Sequence, residues 1–119
     1  MAAKDDLGRQ GEDLAARYLE STGLVILARN WRCRDGELDI VATDATDTLV
    51  ICEVKTRRGV GFGSPIESIT YSKRRRLRRL TQMWLAQTGL RHPTVRFDVI
   101  GILWADGSEP ELTHVTEAF

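Results

Sequence analysis

The chain has 119 residues, 42% of them hydrophobic, with 17 Lys/Arg against 17 Asp/Glu and a formal charge of zero. That length is near the usual size of a single domain and can build a core without disulfide or metal staples, so one domain over 1–119 is expected. Zero net charge argues against a general polyanion binder, and no run of about 18 apolar residues exists to span a bilayer.

The opening stretch, MAAKDDLGRQGEDLAARYLE, lacks the apolar segment of a signal peptide, so a cytoplasmic protein is expected. From about residue 5 to 22 the spacing of Leu7, Gly11, Leu14, Ala15, Tyr18 and Leu19 predicts a helix, with Gly23 as its stop. Three strand-like segments follow at 24–32, 36–44 and 48–57. The short links RCRDG and ATDAT join them most simply as an antiparallel meander. RRGVGFGSP then reads as a mobile loop with Phe62 as a possible base-stacking tip. A second helix is expected from about Ser72 to Thr88, stopped by Gly89. A buried strand at 94–104 and a short final one in ELTHVTEAF complete the chain. The order α-β-β-β-α-β-β gives a mixed sheet flanked by helices, an α/β or α+β domain.

Cys33 and Cys52 show neither CxxC nor Cys/His spacing, so no disulfide framework or zinc site is indicated, and His92 and His114 stand alone. Charge, by contrast, is unevenly spread. Lys55 to Arg79 holds nine Lys/Arg and one acid, Glu67, a net of +8, and the remainder carries −8. One surface is thus set to meet an anion, or else a solvated helix face is balanced by acids elsewhere.

In LVICEVKTRR (49–58), Glu53 and Lys55 interrupt an apolar strand two residues apart, which places both on one face. Strict alternation in the preceding strand puts Glu37, Asp39 and Val41 on one face and Leu38, Ile40 and Ala42 on the other. Pairing around ATDAT brings Asp39 opposite a residue near Glu53, with the register left open because a one-residue slip flips the face. Two carboxylates and an amine at neighbouring strand ends suit phosphodiester hydrolysis. A hard divalent cation relieves the repulsion between the acids and takes phosphate oxygens, while the lysine handles water. The plain alternative for D-x(13)-E-x-K is an ion pair at a strand end. Glu37 could compete as a ligand or contact Arg32 or Arg34. Arg96 and Asp98, on one face of the later strand, read as a structural pair.

In the second helix, SKRRRLRRLTQMWLAQ, six cations crowd a helix start whose dipole is already positive. Like charges at i,i+4 (Arg74 with Arg78, Arg75 with Arg79) add to the conflict, and a phosphate backbone would resolve it. Lys73 falls on the core-facing stripe and is expected to point toward the sheet.

GELDIVA followed by VICEVKTR resembles the bipartite signature of the PD-(D/E)xK nuclease superfamily, the restriction-endonuclease-like fold, and is similar to that of archaeal Holliday junction resolvases. GRQGEDLAARYLESTGLVILARNWRCRDGELDIVA, EVKTRR, FGSPIESIT, KRRRLRRL and RFDV together resemble the YraN-like family of uncharacterised bacterial proteins, from about Leu7 to Ile102. The proline of PD is absent, with Leu38 preceding Asp39. The superfamily resemblance implies a Mg²⁺ (or Mn²⁺) site at Asp39 and Glu53, with Lys55 and Glu12 completing the catalytic set. It also implies a supporting lysine on the second helix, at Lys73, and a symmetric homodimer. The expectation is a metal-dependent nuclease on structured or branched DNA, bound through Lys73, Arg74, Arg75, Arg78 and Arg79. The alternatives are a non-catalytic nucleic-acid-binding module and a protein-interaction domain whose basic helix meets an acidic partner.

Overall fold

The computed structural model describes residues 3–59, 67, 69–92 and 94–119. Helix α1 (Ala3–Ser21) buries Ala15, Ala16 and Leu19, and the chain reverses at Gly23, whose φ of 99° suits glycine. Strands β1 (Val25–Cys33), β2 (Gly36–Thr43) and β3 (Thr48–Arg57) form the expected antiparallel meander. Helix α2 (Tyr71–Thr88) crosses to β4 (Thr94–Leu103), which pairs parallel with β3, and β5 (Glu111–Val115) closes the far edge. The five-stranded sheet therefore runs β1-β2-β3-β4-β5, and the predicted order α-β-β-β-α-β-β is the observed one. Most of RRGVGFGSP, including Phe62, lies outside the described residues. Among the described residues, no helix is long and apolar enough to cross a membrane.

Two apolar layers explain why β3 is hydrophobic on both faces. Leu49 and Ile51 pack with Leu77, Leu80 and Trp84 of α2, whereas Cys52 packs with Ala15, Ala16 and Leu19 of α1. Helix α2 is fixed at both ends. Thr70 accepts the Lys73 N–H at its start, and Gly89, at φ 73°, donates to the Leu85 carbonyl at its end.

One local expectation fails where it matters. Leu38 and Val41 both join the layer under α2, but Ile40 joins the layer under α1. Strict alternation would put Leu38 with Ile40, so the strand changes sides at Asp39. Its cross-strand neighbour is Asn30, which stands between the pairs Arg29↔Ile40 and Trp31↔Leu38 and has a φ of 52°. A left-handed residue in β1 lets both strands turn together, and it frees the Asp39 side chain from either packed face.

Candidate active site

The β2–β3 ladder ends at Ile40↔Cys52. Its register, continued by one step, sets Asp39 opposite Glu53. The two strands instead part there, and Asp39 Oδ2 accepts the Val54 backbone N–H at 3.0 Å. This carboxylate satisfies an amide that the ladder no longer serves. Glu53 follows Ile51 on the α2 side of β3, and Lys73 of α2 reaches it, with Nζ 3.5 Å from Glu53 Oε1. From the other side, α1 brings Glu12. Gly11 is what permits that approach, because a Cβ there would lie 1.8 Å from Thr56 Oγ1.

Glu12, Asp39, Glu53, Lys55 and Lys73 thus line one cavity of about 830 Å³, together with Arg32, Arg34, Glu37, Thr56 and Arg76. All four acids and bases of the expected catalytic set are gathered there, as is one of the five expected nucleic-acid-binding residues. Glu37 forms an exposed ion pair with Arg32 at 3.0 Å, one of the contacts foreseen for it.

The electrostatics of the cavity are unusual in one respect. Glu53 is only 5% exposed, yet its Oε2 has no hydrogen-bond partner among the described residues, and neither does the buried Glu12 Oε1. Buried carboxylate oxygens are ordinarily satisfied, since each one left without a partner costs about 1–3 kcal/mol or more when charged. The chain itself supplies the contrast. Asp98 is fully buried, but its Oδ1 receives Arg96 Nε and the Glu117 N–H, and its Oδ2 receives Arg96 Nη2 and His114 Nε2. Asp98 is a finished structural site, as expected of the Arg96–Asp98 pair, and the Glu12–Asp39–Glu53 group is not.

Burial, and then the Asp39 charge, push the Glu12 carboxyl up to about 7, against the pull of Asn30 and Arg29. Burial also raises Glu53, reinforced by Asp39 and opposed by Lys73. Asp39 is raised by burial too, although its bond from Val54 opposes the shift. Lys55 is held below the ordinary lysine value by burial and by the neighbouring Lys73 ammonium. Burial is the largest cause of each shift, and a neighbouring like charge adds to it.

An all-carboxylate donor set is hard and fits Mg²⁺ or Mn²⁺ rather than a soft-ligand metal. Among the described residues, no three Asp, Glu, His or Cys side chains stand close enough to hold an ion by themselves. Two carboxylates with an incomplete shell match the way Mg²⁺ keeps several waters and takes substrate oxygens.

The basic helix divides by face in a way its spacing did not reveal. The guanidinium of Arg74 lies over the Phe119 ring, and that of Arg78 over both Phe97 and Phe119, at 5.3–5.4 Å. Arg75 lies 6.0 Å from the exposed Tyr71 ring, and Arg79 is exposed. Arg76, one helical turn beyond Lys73, is the arginine that lines the cavity. It was missed because its charge does not distinguish it from its neighbours. The signal that could have found it is the i,i+3 relation to Lys73.

The chain as a whole is similar to known proteins. The family model described as Uncharacterised protein family UPF0102 matches residues 11–102. The chain is 51% identical over 119 residues to a UPF0102 protein of Rhodococcus jostii (strain RHA1), covering both chains completely. It is 50% identical over 116 residues to one of Nocardia farcinica (strain IFM 10152), covering 98% of this chain and 91% of the relative. It is 46% identical over 118 residues to one of Clavibacter michiganensis subsp. michiganensis (strain NCPPB 382), covering 99% of each.

Proposed function

Since the chain belongs to the uncharacterised protein family UPF0102, a name that assigns no reaction, we propose a function from its cavity: hydrolysis of a phosphodiester in structured or branched DNA, assisted by Mg²⁺ or Mn²⁺. The observation that carries this reading is the pair of unpartnered buried oxygens, Glu12 Oε1 and Glu53 Oε2, in one cation-rimmed cavity around Asp39.

Asp39 and Glu53 would hold the ion, which would neutralise charge on the phosphate and acidify a water. The other groups act in their own right. Lys73 and Lys55 present ammonium groups to a phosphate and hold its oxygens against the acidic floor. Lys55 also orients the water by donating a hydrogen bond to its oxygen, and leaves its proton to Glu12. Glu12, near 7, can take a proton from the attacking water close to neutral pH, where a general base is most effective. The resemblance to resolvase-like nucleases agrees with this distribution of roles. It also makes a homodimer the natural assembly on a substrate with two equivalent cuts.

The test is cleavage of branched, flapped and single-stranded DNA under Mg²⁺ and Mn²⁺, with Glu53→Ala as control, beside calorimetric titration with Mn²⁺. Metal-dependent cutting and a binding heat, both lost in Glu53→Ala, are expected. Intact substrates and no heat would remove catalysis. In that event the exposed Arg75 and Arg79 favour a second reading, a nucleic-acid-binding module whose affinity is indifferent to Asp39→Ala.

A further inference from the structure

The acidic floor accounts for half of the cavity. Four carboxylates line it (Glu12, Glu37, Asp39, Glu53), but so do five cations (Arg32, Arg34, Lys55, Lys73, Arg76). Lys55 and Lys73 belong to the floor, through Glu53. Arg32 is engaged by Glu37. Arg34 and Arg76 have no carboxylate within ion-pair distance among the described residues, and they reach the same space from different elements, the β1–β2 turn and α2.

Arg76 is seated there by the backbone. Gly36 has a φ of 146°, and a Cβ at that position would stand 3.5 Å from Arg76 Cδ and 3.3 Å from Leu80 Cδ1. The aliphatic stem of Arg76 therefore lies against the start of β2, next to Leu80 of the core, and its guanidinium is carried to the rim. A long side chain anchored along its stem loses less freedom when it binds an anion. The packing accounts for the stem of Arg76 but not for its charge, which shares the cavity lining with that of Arg34.

We infer that Arg76 and Arg34 form a second phosphate site beside the acidic floor, which holds the phosphate next to the one at Glu53 and Lys55, so that the cavity reads two consecutive phosphates of one strand. This rests on the proposed phosphodiester chemistry and specifies its substrate: an internal linkage within a strand, not a terminal phosphate. Residues three apart on a helix have Cβ atoms about 5–6 Å apart. Lys73 and Arg76 can therefore serve neighbouring phosphates of an extended strand from one helix face. A planar fork suits bidentate phosphate contact at the outer position, and a point-charge ammonium suits the inner one.

A single neutral methylphosphonate, moved one linkage at a time along a cleavable oligonucleotide, tests this. For the unaltered protein we expect two sensitive positions: the cleaved linkage, where cutting stops, and one neighbour, where the rate falls about tenfold. In Arg76→Ala the neighbour should lose its effect while the cleaved linkage keeps its own. Arg76→Lys should restore part of the sensitivity. An unchanged pattern in Arg76→Ala would overturn the second site. Binding to the same oligonucleotides separates this from the chemistry, because losing one phosphate contact lowers the slope of log K against log[salt] by about one. No cutting by any form, with that slope loss in Arg76→Ala, would retire the hydrolytic reading and leave the arginine site standing. A slope identical to that of the unaltered protein would overturn the site itself.

Discussion

Asp39 Oδ2 receives the backbone N–H of Val54 at 3.0 Å, one step past the last paired residues of β2 and β3. A side chain thus takes over where a rung of the ladder would have formed. The fork this creates lets an acid from β2, an acid and an amine from β3 and an acid from α1 line one space, none of them adjacent in sequence. The contact also explains how Asp39 stays oriented while Glu12 and Glu53 each keep one oxygen without a partner among the described residues, since an amide fixes one Asp39 oxygen.

The raised carboxyls make stability depend on pH. A folded-state pKa near 7 for Glu12, against an ordinary 4.5, means that the folded chain holds its proton more tightly than the unfolded one. That stabilisation is complete below the unfolded pKa of 4.5 and is lost as pH rises through 7. Thermal unfolding from pH 5 to 8 should show Glu12→Gln gaining on the unaltered protein toward pH 8, by about 5 °C in Tm for each kcal/mol. A pH-independent difference between the two would contradict the assignment.

Divalent ion should act in the opposite direction. At pH 8, millimolar Mn²⁺ is expected to raise the Tm of the unaltered protein, because an ion bound only by the folded state stabilises it by mass action. Asp39→Asn and Glu53→Gln should both abolish that rise. In the absence of metal, Glu53→Gln should unfold no more readily at pH 8, having lost a buried charge along with an incomplete set of partners.

Gly11 should tolerate almost no side chain. In an ordinary helix Gly→Ala gains about 1 kcal/mol. Here the new Cβ would meet Thr56 Oγ1 at 1.8 Å and Thr56 Cβ at 2.9 Å, so Gly11→Ala is expected to lose about 1–3 kcal/mol by overpacking. Denaturant unfolding reads the loss, and Thr56→Gly in the same chain should recover most of it. Because the same approach delivers Glu12, the single variant should also slow metal-dependent cleavage.

The arginines of α2 should separate into two classes. Arg75→Ala with Arg79→Ala should weaken DNA binding and flatten its salt dependence at unchanged stability. Arg74→Ala with Arg78→Ala should also lower stability, by about 0.5–1 kcal/mol for each stack lost on Phe97 and Phe119. Equal stability loss in both pairs, by chemical unfolding, would refute the division.

Asp98 should behave unlike the cavity acids. Asp98→Ala leaves the partly buried Arg96 without its partner and breaks the chain from Arg96 through His114 to Tyr18, so a loss of about 3–5 kcal/mol is expected. Any variant that remains folded should bind Mn²⁺ as before, which titration of the folded protein would verify.

Sequence alone determined the element order, the meander and the helix stops at Gly23 and Gly89, and it singled out Glu12, Asp39, Glu53 and Lys55, which line one cavity. Apolar periodicity and turn residues are local signals, and a charge inside an apolar strand is conspicuous wherever the strand ends up. It could not determine the change of side at Asp39. Alternation is a property of a regular strand, and Asn30, the residue whose left-handed backbone breaks it, lies in a different strand. Nor could it distinguish Arg76 from Arg74, because six adjacent cations look alike until Phe119 and Gly36 arrive from opposite ends of the chain to receive them. Which acid oxygens lack a partner among the described residues was likewise decided only in three dimensions, since satisfaction of a buried oxygen is counted over every neighbour the fold supplies. Glu53 and Asp98 are both acids on buried strands, and the fold completed one and left the other open.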